Sequence, residues 1–123
     1  MTDNITDIHG KKVFHFPPDG YSIASEREAT DVIGEVWVDW PDVAAIPIER
    51  FPEDFFRLET TVAGAITQKF ANYGLHVALV GDISEHTSRS SALASYVHES
   101  NRGRHVWFVD DLDELAQRLR PRP

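Results

Sequence analysis

The residues best placed for chemistry are acidic side chains that follow two apolar runs of one pattern. Each run, residues 77–80 and residues 106–109, begins after a histidine, and an aspartate stands six positions after that histidine. If both runs are parallel strands, their carboxyl ends share one sheet edge, where open α/β sheets bind ligands. Carboxylates there could hold a divalent cation or act as a general base. The candidate ligand-binding residues are Gly81, Asp82, Ser84, Asp110 and Asp111.

The same residue types have ordinary structural roles, which explain them better than chemistry does. An aspartate after a strand commonly closes a loop or caps a helix. The backbone N–H groups after Gly81, together with Ser84, could instead form an anion-binding turn at a helix start. A single glycine is a weak signal, and neither G-x-G-x-x-G nor G-x-x-x-x-G-K-[ST] occurs. A dinucleotide or nucleoside triphosphate site of the usual types is therefore not expected.

The sequence predicts neither a metal site nor a redox site. The six histidines show no H-x-x-x-H or H-E-x-x-H spacing. Because the sequence has no cysteine, disulfides, thiolate catalysis and iron–sulfur clusters are excluded. Spacing does not join a serine, a histidine and an aspartate into a triad. We predict no metal and no cofactor, and we assign no catalytic residue.

A second set of residues is suited to contacts with another protein. Residues 99–102 combine polar groups and positive charge at a helix end, and Lys69 and Asn72 stand at the margin of an apolar helix face. Capping and core packing are the structural alternatives. Trp37 and Trp40 are expected to pack in the core first and to form a dimer contact second. The partner-contact candidates are Phe56, Lys69, Asn72, Glu99, Ser100, Asn101 and Arg102.

Composition limits the classes of protein and partner. A chain of 123 residues with 41% hydrophobic side chains can bury one core. Its net charge of −8 disfavours nucleic acid and anionic membranes, which need a basic surface. No apolar run has membrane-spanning length, and MTDNITDIHGKK lacks the features of a signal peptide. We therefore expect a cytoplasmic protein with a protein partner or self-association.

The elements that would position these residues begin with a hairpin and a helix. Residues 12–16 and 21–25 flank the turn cluster Pro-Pro-Asp-Gly, so we predict that they pair as antiparallel strands. An S-x-x-E capping box at Ser25 begins a helix that ends at Pro41. Residues 43–48 predict the next strand.

The second half of the sequence predicts parallel strands joined by helices. Apolar residues recur at steps of three and four over residues 53–74, which predicts one continuous helix. Residues 84–101 predict a helix that connects parallel strands at 77–80 and 106–109. A final helix begins at Asp111, which caps it.

The predicted fold is a single α/β domain with a mixed, mostly parallel sheet and an amino-terminal antiparallel hairpin. The element order is β-β-α-β-α-β-α-β-α. Residues 1–10 are predicted to be a disordered or poorly ordered lead, and residues 11–120 the domain.

Four stretches in the middle of the sequence are distinctive together. They are Glu53-Asp54-Phe55-Phe56-x-Leu58 with Thr60, Ala63-Gly64 followed by Gln68-Lys69-Phe70-x-Asn72-Tyr73, Val80-Gly81-Asp82, and Glu99-Ser100-Asn101. In these stretches, which span about half the chain, the sequence resembles the domain family of unknown function numbered 4180. The resemblance implies a small stand-alone bacterial domain and brings no catalytic assignment.

The element order is also similar to that of STAS domains, the anti-sigma-factor antagonists that are regulated by phosphorylation of a serine at a helix start. That similarity is one of fold alone. Where those domains have an Asp-Ser-Ser-Gly type turn, this sequence has Glu59-Thr60-Thr61-Val62-Ala63-Gly64. Thr60 or Thr61 would supply the hydroxyl, but both lie inside the predicted helix and the aspartate–serine pair is missing.

Two hypotheses of different classes follow. The first is a non-enzymatic regulatory or protein-interaction module, favoured by the fold analogy and by the lack of a catalytic constellation. The alternative is a small-molecule or anion-binding domain, with weak hydrolase activity as one form, at the carboxyl edge of the sheet around Asp82 and Asp110.

Overall fold

A mixed β-sheet forms the centre of the molecule. The computed structural model describes residues 4–121. Within them the sheet has five strands: β1 (Ile5–Ile8), β2 (Lys11–His15), β3 (Val43–Pro47), β4 (Val77–Val80) and β5 (Val106–Val109). The order of the strands across the sheet is their order in the chain. β1 is antiparallel to β2, and all other neighbouring strands are parallel, which confirms the predicted fold class.

Helices follow four of the five strands in this part of the chain. They are α1 (Glu26–Val36), α2 (Val62–Asn72), α3 (Ser84–Arg89), α4 (Ser91–Arg102) and α5 (Leu112–Leu119). Among residues 4–121, none of them has the length and apolar character needed to cross a bilayer.

Each face of the sheet buries its own apolar cluster. Because side chains alternate along a strand, Val77 and Leu79 join the cluster under α1, α2 and α4, while Ala78 joins the one under α5. In the second cluster, Leu115 of α5 packs with Val13 of β2. Burying one such aliphatic side chain stabilises the fold by roughly 1.5–3 kcal/mol. Burial on both faces explains why β4 is apolar throughout.

The hairpin lies earlier in the chain than predicted. β2 pairs with β1, and residues 21–24 have no regular secondary structure. The connecting residues His9 and Gly10 both have positive φ, 53° and 82°, as a type I′ hairpin turn requires. Residues 5–8, which fall in the stretch predicted as a poorly ordered lead, therefore form a strand; residues 1–3 of that lead lie outside the described residues.

The segment predicted as the second strand of the hairpin is held by a buried cation. Arg50 is only 3% exposed. Its Nε donates to the carbonyl of Tyr21 at 2.9 Å, and Nη1 donates to the carbonyl of Pro17 at 3.0 Å. Gly20, with φ +139°, lies so close that a Cβ there would be 2.8 Å from the guanidinium carbon. A cation 29 residues away from Tyr21, and not strand pairing, fixes this loop.

The helix predicted over residues 53–74 is continuous only in its second half. The first half forms 3-10 turns at Glu53–Phe56 and Leu58–Thr60, and α2 begins after Thr61, whose φ is 63°. The hydroxyl of Thr60 donates to the carbonyls of Asp54 and Arg57, both at 2.7 Å. Such side-chain bonds compete with the helical pattern. Thr60 and Thr61 therefore precede α2 and do not lie inside it.

The helix predicted over residues 84–101 is divided at Ser90. This residue is extended, with φ −145° and ψ 110°, so α3 ends before it. Its Oγ accepts the N–H of Leu93 at 3.1 Å and caps α4. Serine is a preferred N-cap residue, which explains why a new helix begins here.

Candidate functional site

The carboxyl ends of β4 and β5 lie side by side, as the sequence predicts. Val80 pairs with Val109, so Asp82 and Asp110 emerge at the same edge. The charge of Glu114 is the main cause that raises the pKa of Asp110, and the charge of Asp82 adds to it. The edge is therefore acidic, and its carboxylates affect one another.

Three of the four acidic side chains at this edge, those of Asp82, Asp111 and Glu114, are engaged in local turns and caps, whereas the carboxylate of Asp110 has no hydrogen-bond partner among the described residues. Oδ1 of Asp82 accepts the N–H of Ser84 at 2.8 Å, and this bond lowers the pKa of Asp82. Oδ1 of Asp111 accepts the N–H of Glu114 at 2.9 Å and caps α5, while Oε1 of Glu114 accepts the N–H of Asp110 at 2.6 Å. Among residues 4–121, no three His, Asp or Glu side chains are arranged to hold a metal.

Gly81 serves packing at the end of β4. Its φ is +149°, and a Cβ there would lie 2.5 Å from Cγ1 of Ile48. Its N–H donates to the carbonyl of Val109 at 2.9 Å. Ile48 thus fills the space above Gly81, and the N–H of Gly81 is already paired within the sheet.

The polar residues predicted at the end of α4 have separate roles. Glu99 and Arg102 form an exposed ion pair with a distance of 3.6 Å. Ser100 lines a shallow groove of about 240 Å³ between α2 and α4. Oδ1 of Asn101 accepts the N–H of Phe108 at 2.7 Å, so this residue joins α4 to β5. Asn101 therefore has a structural contact that spacing alone does not predict.

The remaining partner-contact candidates differ in accessibility. Phe56 is buried, and its ring stacks on His86 with 4.4 Å between centroids. Lys69 forms an ion pair of 3.6 Å with Glu26, and the exposed Asn72 accepts from the amide of Gln68 at 2.8 Å. Lys69 and Asn72 are thus at the surface, whereas Phe56 belongs to the core.

An exposed aromatic patch lies where α1 and α2 end, and it consists of Trp37, Val38, Trp40 and Tyr73. Trp37 is 61% exposed, Val38 is 92% exposed and Tyr73 is 46% exposed. The ring of Trp37 meets Trp40 and Tyr73 edge-on, with centroid distances of 5.8 and 6.4 Å. The three rings line a depression of about 350 Å³.

The expectation that Trp37 packs in the core is wrong, while Trp40 does pack against it. Trp37 comes four residues after the buried Ile33, so its spacing places it beside the buried stripe of α1. The helix ends at Val36, however, and Trp37 is its C-cap, where the side chain is mostly exposed.

Comparison with known proteins identifies a family and no individual relative. A family model described as a domain of unknown function (DUF4180) matches residues 8–119. The matched range extends from the end of β1 to the end of α5 and includes both the carboxyl edge and the aromatic patch. No curated protein and no solved structure matches the chain.

Proposed function

The chain belongs to the DUF4180 family, and we propose that it is a non-enzymatic protein-interaction module that binds a partner protein through the aromatic patch. The observation that carries the proposal is the exposure of Trp37 beside Tyr73, with the exposed Val38 next to Trp37 in the chain. Contiguous exposed apolar surface is typical of binding sites, and tryptophan and tyrosine are enriched among the residues that dominate binding energy. The proposed location is the cytoplasm. The protein would have a regulatory role there if binding changes the activity of its partner.

The backbone on either side of the aromatic patch is tied to the ends of α1 and α2. The N–H of Trp37 donates to the carbonyl of Gly34 at 3.4 Å, and Trp40 packs against the core. The N–H of Tyr73 bonds to the last turn of α2, which itself packs on α1. A preformed surface loses little conformational entropy on binding, which favours affinity.

Charge around the aromatic patch indicates the chemistry of the partner. Asp39 stands between Trp37 and Trp40 in the chain, and the whole protein has a net charge of −8. A second copy would bring the same negative charge to the patch, which disfavours self-association. The proposed partner segment therefore presents an apolar side chain flanked by lysine or arginine, with Asn72 in the polar rim of the interface.

The carboxyl edge supports the alternative function less well. A ligand there would need free donors or carboxylates, but the N–H of Gly81 and Oδ1 of Asp82 already have partners, which leaves the carboxylate of Asp110 as the main free group. Ile48 also occupies the space above Gly81. A small-molecule or weak hydrolase site at this edge is therefore the second choice.

Replacing Trp37 and Val38 with serine should weaken the binding of peptides selected from a displayed random library against the wild-type protein. Selected peptides should be rich in apolar residues flanked by lysine or arginine. Loss of a dominant aromatic contact of 2 kcal/mol or more should weaken binding by roughly 30-fold or more, measured by calorimetric titration.

The matched control is Leu112→Ser, which removes a half-exposed apolar side chain from α5. It should leave peptide binding unchanged, and both variants should unfold within about 0.5 kcal/mol of the wild type because the altered side chains are exposed. Equal peptide affinity in the Trp37→Ser, Val38→Ser variant would overturn the proposal. Sedimentation that shows a dimer abolished by these substitutions would identify a second copy as the occupant and would also overturn it.

A further inference from the structure

The amino edge of the sheet, opposite the aspartates, carries an open pocket of about 490 Å³ next to α5. Four cationic side chains line it, Lys11, Arg104, Arg118 and Arg120, against one carboxylate, Asp42. These four are a third of the twelve lysines and arginines of an acidic protein. Such a concentration of positive charge attracts anions locally despite the net charge.

Arg118 is the fixed cation of this pocket. Its guanidinium lies 4.1 Å from the ring centroid of Trp107, and Nη2 donates to the carbonyl of Asn101 at 2.6 Å. Burial lowers the pKa of Arg118, and no acidic side chain among residues 4–121 lies within 4.0 Å of it. The charge of Glu114 acts on Arg118 from farther away and partly offsets the effect of burial, so the guanidinium has no carboxylate of the described residues in direct contact and can pair with an anion in the pocket.

The ring of His76 forms part of the same wall. Its Nε2 is buried and has no hydrogen-bond partner among the described residues. The ring is held edge-on against Trp107, with 4.2 Å between centroids. Burial, followed by the charges of Arg118 and His105, lowers the pKa of His76 to about 4, so the imidazole is neutral near pH 7. Because Nε2 is closed off from solvent, His76 contributes its neutral ring to the wall of the pocket and no bond to an anion.

We propose that this amino-edge pocket binds a phosphate group, as inorganic phosphate or as a phosphate monoester, between Arg118 and Arg104. Phosphate is a dianion that matches several cations, and the planar guanidinium can donate two parallel N–H groups to its oxygens. The volume of the pocket leaves room for the organic part of a small monoester. The site is independent of the aromatic patch, so either proposal can fail alone.

Titration of the ¹⁵N-labelled full chain with inorganic phosphate and with glycerol 3-phosphate, at constant ionic strength, tests the proposal. The protein has three tryptophans, hence three indole N–H signals. Only that of Trp107, whose indole donates to the carbonyl of Gly103 at 2.9 Å, should shift, and it should shift saturably. A smaller dissociation constant for glycerol 3-phosphate would identify a monoester as the better ligand, and a smaller one for inorganic phosphate would identify the free ion.

Matched variants separate a built site from general charge. Arg118→Gln should weaken phosphate binding at least tenfold, and Arg104→Gln, an exposed change that the fold should tolerate, should weaken it severalfold. Arg89→Gln removes the same charge from α3, where it pairs with Glu85, and should leave affinity unchanged. The absence of a saturable Trp107 shift, an equal loss in Arg89→Gln, or equal affinity for succinate would each overturn the proposal.

Discussion

At the scale of single residues, the two ends of the sheet have opposite electrostatic characters. At the carboxyl edge, the negative charge of Glu114 raises the pKa of Asp110. At the amino edge, burial lowers the pKa of His76 to about 4. In each case the environment disfavours the charged form, but neighbouring charge is the main cause for Asp110 and loss of solvent is the main cause for His76.

The free energy of unfolding should fall as the pH drops from about 6.5 towards about 4, in part because of His76. The unfolded state binds a proton near pH 6.5, whereas folded His76 does not until about pH 4, so stability is full above this window and is lost within it. The contribution is at most about 1.4 kcal/mol per pH unit. Burial also lowers the pKa of His15, which acts in the same direction.

Urea unfolding of His76→Gln in phosphate-free buffer at pH 7 and pH 5 measures this contribution. The difference in stability between the two pH values should be smaller in the variant than in the wild type. The exposed His98, changed to glutamine, serves as the control and should keep the wild-type difference. An unchanged difference in His76→Gln would assign the pH dependence to other groups.

At the scale of elements, β5 is one of the two edge strands of the sheet. Its outer side has no strand partner among the described residues, and unpaired edge N–H groups invite association with other chains. α4 covers this strand, and the side chain of Asn101 accepts the N–H of Phe108. One side chain thus supplies the acceptor that a further strand would have supplied.

Asn101→Ala should destabilise the protein by about 1–3 kcal/mol, because it leaves the N–H of Phe108 without its acceptor. The measurement is urea unfolding, with Asn72→Ala as a control that removes an exposed amide bonded only to Gln68 within the described residues. The control should cost less than about 0.5 kcal/mol. If both variants unfold alike, the bond to β5 does not contribute to stability.

The local pattern of apolar and capping residues is sufficient to predict the elements whose boundaries depend on residues nearby in the sequence. β4 and β5 were predictable because each is an uninterrupted apolar run, and α5 because Asp111 caps a clear stripe. The interruption at Thr60 and the loop held by Arg50 were not predictable, because they depend on bonds from side chains to particular carbonyls. Sequence periodicity does not carry that information.

The candidate sites also divide into one that is predictable from local sequence and others that depend on tertiary packing. The shared carboxyl edge of Asp82 and Asp110 was predictable, because parallel strands of equal length end together. The amino-edge pocket was not, because Arg118 reaches it only through the packing of α5 on the sheet. The exposure of Trp37 depended on one helix ending at Val36, and helix ends are the least certain part of a prediction from sequence.

At the scale of the whole molecule, burial is concentrated in the middle of the sheet. The residues of β3 and β4 are almost all buried, whereas no residue of β1 is buried. Local opening should therefore need much less free energy at β1 than at the centre.

Hydrogen exchange should show this gradient in the native protein. The hydrogen-bonded amides of Val77–Val80 should exchange only through global unfolding, and those of Ile5–Ile8 should be protected at least tenfold less, a difference of about 1.4 kcal/mol. Exchange measured by NMR at neutral pH gives both values. Equal protection in the two strands would show that β1 opens only with the whole domain.

The order of the strands has a consequence for how the molecule is made. Since neighbours in the sheet are neighbours in the chain, no strand has to insert between two that are already joined. During synthesis, each strand that leaves the ribosome can pair with the exposed edge of the strand before it. Leu115 and Leu119 pack in the same cluster as Val13, so residues of this domain that are translated late shield one that is translated early.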